Sequence, residues 1–274
     1  GDTKSVESLS NSEVIQFHKN TFSPGNSHLI VVGNISRSEL EKILNKHFVT
    51  STNQIIDDPT PPLRKNSKPC VYLINKDGAA QSEIRIGHLT NNRTDPDYYA
   101  KIIMNSILGG QFSSRLNLNL REDKGFTYGV SSGFHYNKLL GNFQISTSVQ
   151  SENTGETIRE IVKEIDGIKL NISDEEIDFS KSYLIKRFPA MFETYSQIAN
   201  NLSSLVHYSL EKKYFDNYLR NIEKCSKQEI ENAAHLRIIA DELIYLIVGD
   251  RDKILPLLRS TTNHDIIELD KFGQ

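Results

Sequence analysis

Tryptophan is absent from this 274-residue chain, and cysteine and methionine occur only twice each. Cys70 and Cys225 lie far apart and fit no Cys-x-x-Cys redox or metal spacing, so buried free thiols are expected. A charge excess is missing too: 32 Lys and Arg against 35 Asp and Glu leave a formal net charge of −3. That balance provides none of the basic footprint that phosphate neutralisation requires, which argues against a nucleic-acid partner. No apolar run approaches the roughly 18 residues a membrane span needs, so no span is expected. The opening "GDTKSVESLS" has neither a Met nor a basic-then-apolar leader, and it is read as the start of a chain cut from a longer parent.

Apolar residues are nevertheless plentiful, at 37%, enough for one large domain or one domain with part of another. Ser10 with Glu13 forms a capping box, in which each side chain satisfies a backbone N–H at a helix start, and it predicts a helix to about Thr21. "HLIVVGN" (28–34) reads as a buried strand, and a second helix runs from Ser36 to His47. Pro59, Pro61, Pro62 and Pro69, set among polar residues, mark a linker over 51–69. This divides the chain into 1–50, the linker, and a domain over 70–274.

In that domain "CVYLINK" and "SEIRIGHL" predict two strands joined through Asp77-Gly78, followed by a helix through Tyr99 and Ile103. Gly109 and Gly110 are expected to stop this helix by adopting the left-handed conformation. Ser113 is expected to cap a short helix carrying Leu116 and Leu120 and ending at Gly125. Phe126–Tyr136 and Gly141–Val149 alternate like a hairpin, and helices follow from about Glu152. Ser173 with Glu176 opens a long helical stretch that Pro189 should split, and the apolar stripe from Met191 to Val206 is expected in a core. A helix from Ser226, a strand in "LIYLIVGD" (243–250) and one more short helix complete the chain.

The two ends repeat. Ser10, Glu13, Val32 and Gly33 recur in identity 216 positions later as Ser226, Glu229, Val248 and Gly249. A duplication with that step makes residues 1–50 the tail of a preceding sister domain and 70–274 a complete domain of its own.

The stretch "LGGQFSSRLNLNLREDKGFTYGV" (108–130), together with "SLSNSEVIQFHKNTFSPGNSHLIVVGNIS", resembles the pitrilysin/insulinase zinc metallopeptidases, which include the mitochondrial processing peptidases. The resemblance covers nearly the whole chain and matches the second, noncatalytic domain with the tail of the first. It implies an α+β fold, an antiparallel sheet flanked by helices, in one half of a closing peptide chamber.

In that family an inverted His-x-x-Glu-His motif and a later Glu hold zinc in the catalytic half. This chain has eight histidines and no two of them four apart. No catalytic residue and no metal ligand are therefore expected in it, and zinc is expected in a separate catalytic half or partner subunit. Hydrolysis by this chain alone is not expected. His88 and His135 are assigned no site, and Arg115 is read as structural.

What the resemblance assigns here is a pair seven positions apart, Arg121 and Tyr128, reaching across the chamber to the scissile carbonyl. A guanidinium and a phenol are hydrogen-bond donors suited to an oxyanion. On residue pattern alone, Arg121 could equally be a solvated arginine near a helix end. Alternation would place Tyr128 on the apolar face with Val130 and Phe134, unless the strand starts at or after it or bulges at Gly129. The implied partners are a peptide or unfolded protein and the zinc-bearing half, and the family likeness points to a bacterial cell envelope. The alternative is a catalytically silent assembly subunit, like the related core proteins of respiratory complexes.

Overall fold

The computed structural model describes residues 2–48 and 68–274. They fall into two compact units, one taking residues up to 48 with Ala190–Ser209, the other residues 68–189 with Leu210–Gln274. The linker expected over 51–69 lies, but for its last two residues, outside the described residues.

In the first unit the helices are α1 (Thr3–Glu7), α2 (Asn11–Thr21) and α3 (Arg37–His47). Ser10 and Glu13 form the expected capping box, with Glu13 N donating to Ser10 Oγ at 3.2 Å and Ser10 N to Glu13 Oε2 at 2.8 Å. Ser36 and Glu39 do the same for α3. Two expectations fail in this unit. Residues 28–34 form no strand, and Leu29 and Val31 are 59% and 43% exposed. A strand exists only where a neighbour receives its N–H and C=O groups, and among the described residues none pairs with this segment. The stripe from Met191 to Val206 does form a helix, but that helix buries no residue, because amphipathic spacing supplies an apolar face and not its cover.

The second unit follows in chain order. β1 (Cys70–Asn75) and β2 (Gln81–Thr90) lead to α4 (Tyr98–Leu108), a short α5 (Arg115–Asn117) and a π-helical turn over Leu118–Asp123. β3 (Val130–Tyr136) and β4 (Gly141–Gln150) form a hairpin, then come α6 (Thr154–Leu170) and α7 (Asp174–Arg187). Pro189 splits the helical stretch as expected, and the chain enters α8 (Tyr195–His207) of the first unit. It returns as α9 (Tyr214–Lys224), α10 (Lys227–Arg237), β5 (Ile244–Gly249), α11 (Arg251–Thr261) and β6 (Asp265–Leu269).

The six strands lie in the order β3-β4-β2-β5-β1-β6. Pairing is antiparallel from β3 to β5 and parallel where β1 meets β5 and β6. β1 and β2 therefore do not pair with each other; β5 lies between them, with Cys70 opposite Ile244. Alternation places Ile84, Ile86, Phe143, Ile145 and Ile247 under the helices, all fully buried. On that side α4 packs on α10 and α7, and α6 on α11. The opposite face carries Glu83, Arg85, Gln144, Ser146 and Ser148, none of them buried. Both cysteines are buried and free, and burial raises the Cys225 thiol to about 11.

Candidate functional site

The segment between α4 and β3 is held by polar groups of its own. Gly109 does end α4, but its φ is −161°, not left-handed as expected. Glycine is needed there for space: a Cβ would lie 2.5 Å from Ser132 Oγ and 2.8 Å from Ser132 N. β3 passes so close that Ser132 N donates to Gly109 O at 3.0 Å. Asn105 Nδ2 donates to Ser132 O at 3.0 Å.

The next turn starts at Ser114, not Ser113, and without a side-chain cap. Arg115 is structural, as expected. It makes a bidentate pair with Glu176 (2.6 and 2.8 Å) and donates to Asn171 O at 2.7 Å, tying this turn to the start of α7. Beyond Asn117 the backbone widens into the π-helical turn, where Lys124 N reaches back five residues to Asn119 O (2.9 Å). Leu116 and Leu120 anchor its inner side, both fully buried. Asn119 Nδ2 donates to Glu160 and Glu164 of α6, at 2.7 Å each. The Asn119 bond, and after it Lys163 at 3.0 Å, hold the Glu160 carboxyl below the usual range.

Arg121 projects from this turn. Its side chain is 32% exposed, its guanidinium carbon lies 4.1 Å from the Phe112 ring centroid, and Glu122 Oε1 is 3.4 Å away. The charge is thus stacked and partly offset rather than freely solvated. Gly125, at φ +66°, then reverses the chain.

Tyr128 settles against the core reading. β3 begins at Val130, not at Phe126, so the alternation expected from 126 onward starts four residues late. Thr127 sets the loop that precedes it: its hydroxyl accepts from Gly129 N (3.1 Å), and Thr147 Oγ1 lies 3.0 Å from it. Tyr128, between Thr127 and Gly129, is 96% exposed. It stands at the rim of a 330 Å³ groove on the open sheet face, lined by Glu83, Arg85, Ser146 and Ser148 among others. A larger cavity of 530 Å³ lies between α4 and α10. Its acids are already engaged, Asp97 by Arg237 and Glu229 by the cap of α10.

Sequence reasoning missed Asn117. Its side chain is 7% exposed and meets the backbone of Val130 on both sides, with Nδ2 donating to Val130 O at 2.7 Å and Oδ1 accepting from Val130 N at 3.1 Å. The outward groups of β3 at 130 and 132 are consequently taken by Asn117, Asn105 and Gly109, which leaves no free sheet edge there. No periodic signal marks a single amide beside an apolar helix position.

His88 is a satisfied core group: Nε2 accepts from Ile239 N (3.1 Å), so Nδ1 carries the proton toward Leu89 O (2.8 Å). Among the described residues no three His, Cys, Asp or Glu side chains converge to hold a metal. None of the chain's described helices is long and apolar enough to cross a membrane.

A profile of the family described as the peptidase M16 inactive domain matches residues 8–184. The chain is 21% identical over 240 residues to YmfF of Bacillus subtilis, named a probable inactive metalloprotease, covering 85% of this chain and 54% of that protein. It is 28% identical over 137 residues to an uncharacterized zinc protease of Mycobacterium leprae, covering 48% of this chain and 30% of that one. The chain thus spans about half or less of the length of these relatives. The crystal structure of a peptidase M16 inactive domain from Pseudomonas fluorescens superposes with a TM-score of 0.80 at 25% identity, covering 91% of this chain and 60% of that one.

Proposed function

We propose, from the premise that this chain belongs to the peptidase M16 inactive-domain family, that it is the substrate-binding half of a zinc metalloendopeptidase. Arg121 and Tyr128 serve the scissile peptide carbonyl there. The observation that carries this reading is the placement of Tyr128: between half-buried Thr127 and the core residue Val130, its side chain stands almost wholly in solvent. A tyrosine kept for packing would not be expelled by a built turn.

The chemistry assigned to this chain is hydrogen-bond donation. The phenol O–H and the guanidinium N–H groups are aimed at a carbonyl oxygen as it gains negative charge, where fixed donors act most strongly. The Phe112 ring limits the rotamers of Arg121, so less order has to be gained on binding. The peptide main chain finds no open edge at Val130 or Ser132, and the groove beside Tyr128 offers it polar side chains instead.

In this reading residues 1–50 are the tail of a preceding sister domain, 51–69 the linker and 70–274 the noncatalytic domain. Support comes from the capping boxes at Ser10 and Ser226, 216 positions apart, and from the uncovered apolar residues of α2, such as Val14 and Phe17. The zinc-bearing half is a neighbouring domain or subunit carrying His-x-x-Glu-His. Combining that half with this chain should give peptide hydrolysis that neither shows alone. A second reading, a catalytically silent assembly subunit, is favoured by the name of YmfF, a probable inactive metalloprotease. Absence of hydrolysis from the combined, zinc-loaded halves would select it.

A further inference from the structure

We infer that Asn117 is the positioning residue that fixes Tyr128 relative to Arg121, acting as a one-residue substitute for a neighbouring strand; this rests on the function proposed above. A phenol 96% exposed has no packing to locate it, so its place is set by the backbone on either side. On one side the Thr127 hydroxyl holds Gly129 N. Gly129 O is held in turn by Thr127 Oγ1 at 2.9 Å and by Thr147 Oγ1 of β4 at 3.1 Å. On the other side, the first residue after Tyr128 tied to the Arg121 turn is Val130.

A carboxamide presents one acceptor and two donors, as a strand's peptide groups would. Asn117 offers both to Val130, at 3.1 and 2.7 Å, in the plane where a further strand would pair. Its Nδ2 also lies 3.2 Å from Gln111 O and from Ser114 Oγ, which fixes the rotamer. Because the π-helical turn starts at Leu118, Asn117 joins the base of the Arg121 turn to the base of the Tyr128 loop. Two donors that must address one oxygen need such a common origin, since a misplacement of about 1 Å can cost roughly 100-fold in rate.

The test compares Asn117→Asp and Asn117→Leu in the full chain labelled with 3-fluorotyrosine, the Tyr128 line being assigned by Tyr128→Phe. In the Asp variant the carboxylate keeps an acceptor for Val130 N but turns an oxygen toward Val130 O. Val130 N–H exchange should accelerate at least tenfold, and the Tyr128 fluorine line should shift or narrow, while amides in the middle of β2 and β5 keep their protection. A buried carboxyl titrates high, so acidifying the Asp variant should protonate it, restore the donor and reverse both changes; wild type should show no such titration.

In the zinc-bearing assembly, the loss of turnover from Asn117→Asp should vanish in a Tyr128→Phe background, because the lost position has nothing left to place. Wild-type exchange and fluorine line in the Asp variant would overturn the inference. So would losses that simply multiply, or protection lost evenly across the sheet. If Tyr128→Phe alone leaves turnover intact, the role proposed for Tyr128 at the scissile carbonyl fails, and the exchange and fluorine results still decide the role of Asn117.

Discussion

His88 shows what one buried polar side chain costs and gives. Both ring nitrogens are engaged, and burial pushes its pKa below the ordinary 6.5. With the folded pKa lowered, the unfolded chain takes up the proton first as pH falls past about 6.5, so folding free energy should drop by up to ~1.4 kcal/mol per pH unit from there down to the folded value. Above pH 7 it should be flat with respect to this group. His88→Gln keeps a donor and an acceptor without the titration, and urea unfolding at pH 5.5 and 7.5 should show a smaller pH difference in it than in wild type. The sequence assigned His88 no site, and the structure shows both of its ring nitrogens bonded in the core. The residue pattern gave no sign that Lys101 is fully buried in α4, reaching Asp97 one turn earlier at 3.5 Å and Asn91 Oδ1 at 2.9 Å, because i,i+4 spacing shows an ion pair and not its burial.

At the scale of single elements, the turn that presents Arg121 depends on neighbours that are not adjacent in sequence. Arg115 pins its start to Glu176, and Asn119 pins its middle to α6. Burial alone would raise the Glu176 carboxyl, but the Arg115 hydrogen bond and Ser173 N–H outweigh it and bring it below 4.5. The stabilisation is present above the unfolded pKa and is lost as pH falls through the folded one. Replacing Arg115 with Gln should cost about 1–2 kcal/mol at pH 7, discounted for the partial exposure of both groups. The difference from wild type should shrink below about pH 4, as followed by urea unfolding at each pH. Capping boxes such as Ser173 with Glu176 were readable because both partners lie within one turn. The π-helical turn was not, since only its long-range anchors distinguish it from an α-helix.

For the whole molecule, the family resemblance implied the α+β class and the alternating and helical periodicities agreed with it, while neither supplied the order of the strands. β5 separates β1 from β2 by pairing Ile244 with Cys70, and no local spacing encodes a partner so distant in the chain. "DIIEL" (265–269), which pairs in parallel with β1 as β6, was passed over because its apolar run is too short to stand out. The pattern at 28–34 promised a strand, and among the described residues none pairs with it. The same logic applies to function: the family resemblance assigned Arg121 and Tyr128, but the exposure of Tyr128 goes with where β3 begins, beside the bonds of Asn117 and Thr127.

The central claim is best tested by turnover of a model peptide once the zinc-bearing half is restored, comparing wild type with Arg121→Ala and Tyr128→Phe. Zinc content and halves association should be unchanged, and kcat should fall about 100- to 1,000-fold for a lost oxyanion donor. Undiminished kcat in both variants would contradict the assignment of these two residues to the scissile carbonyl.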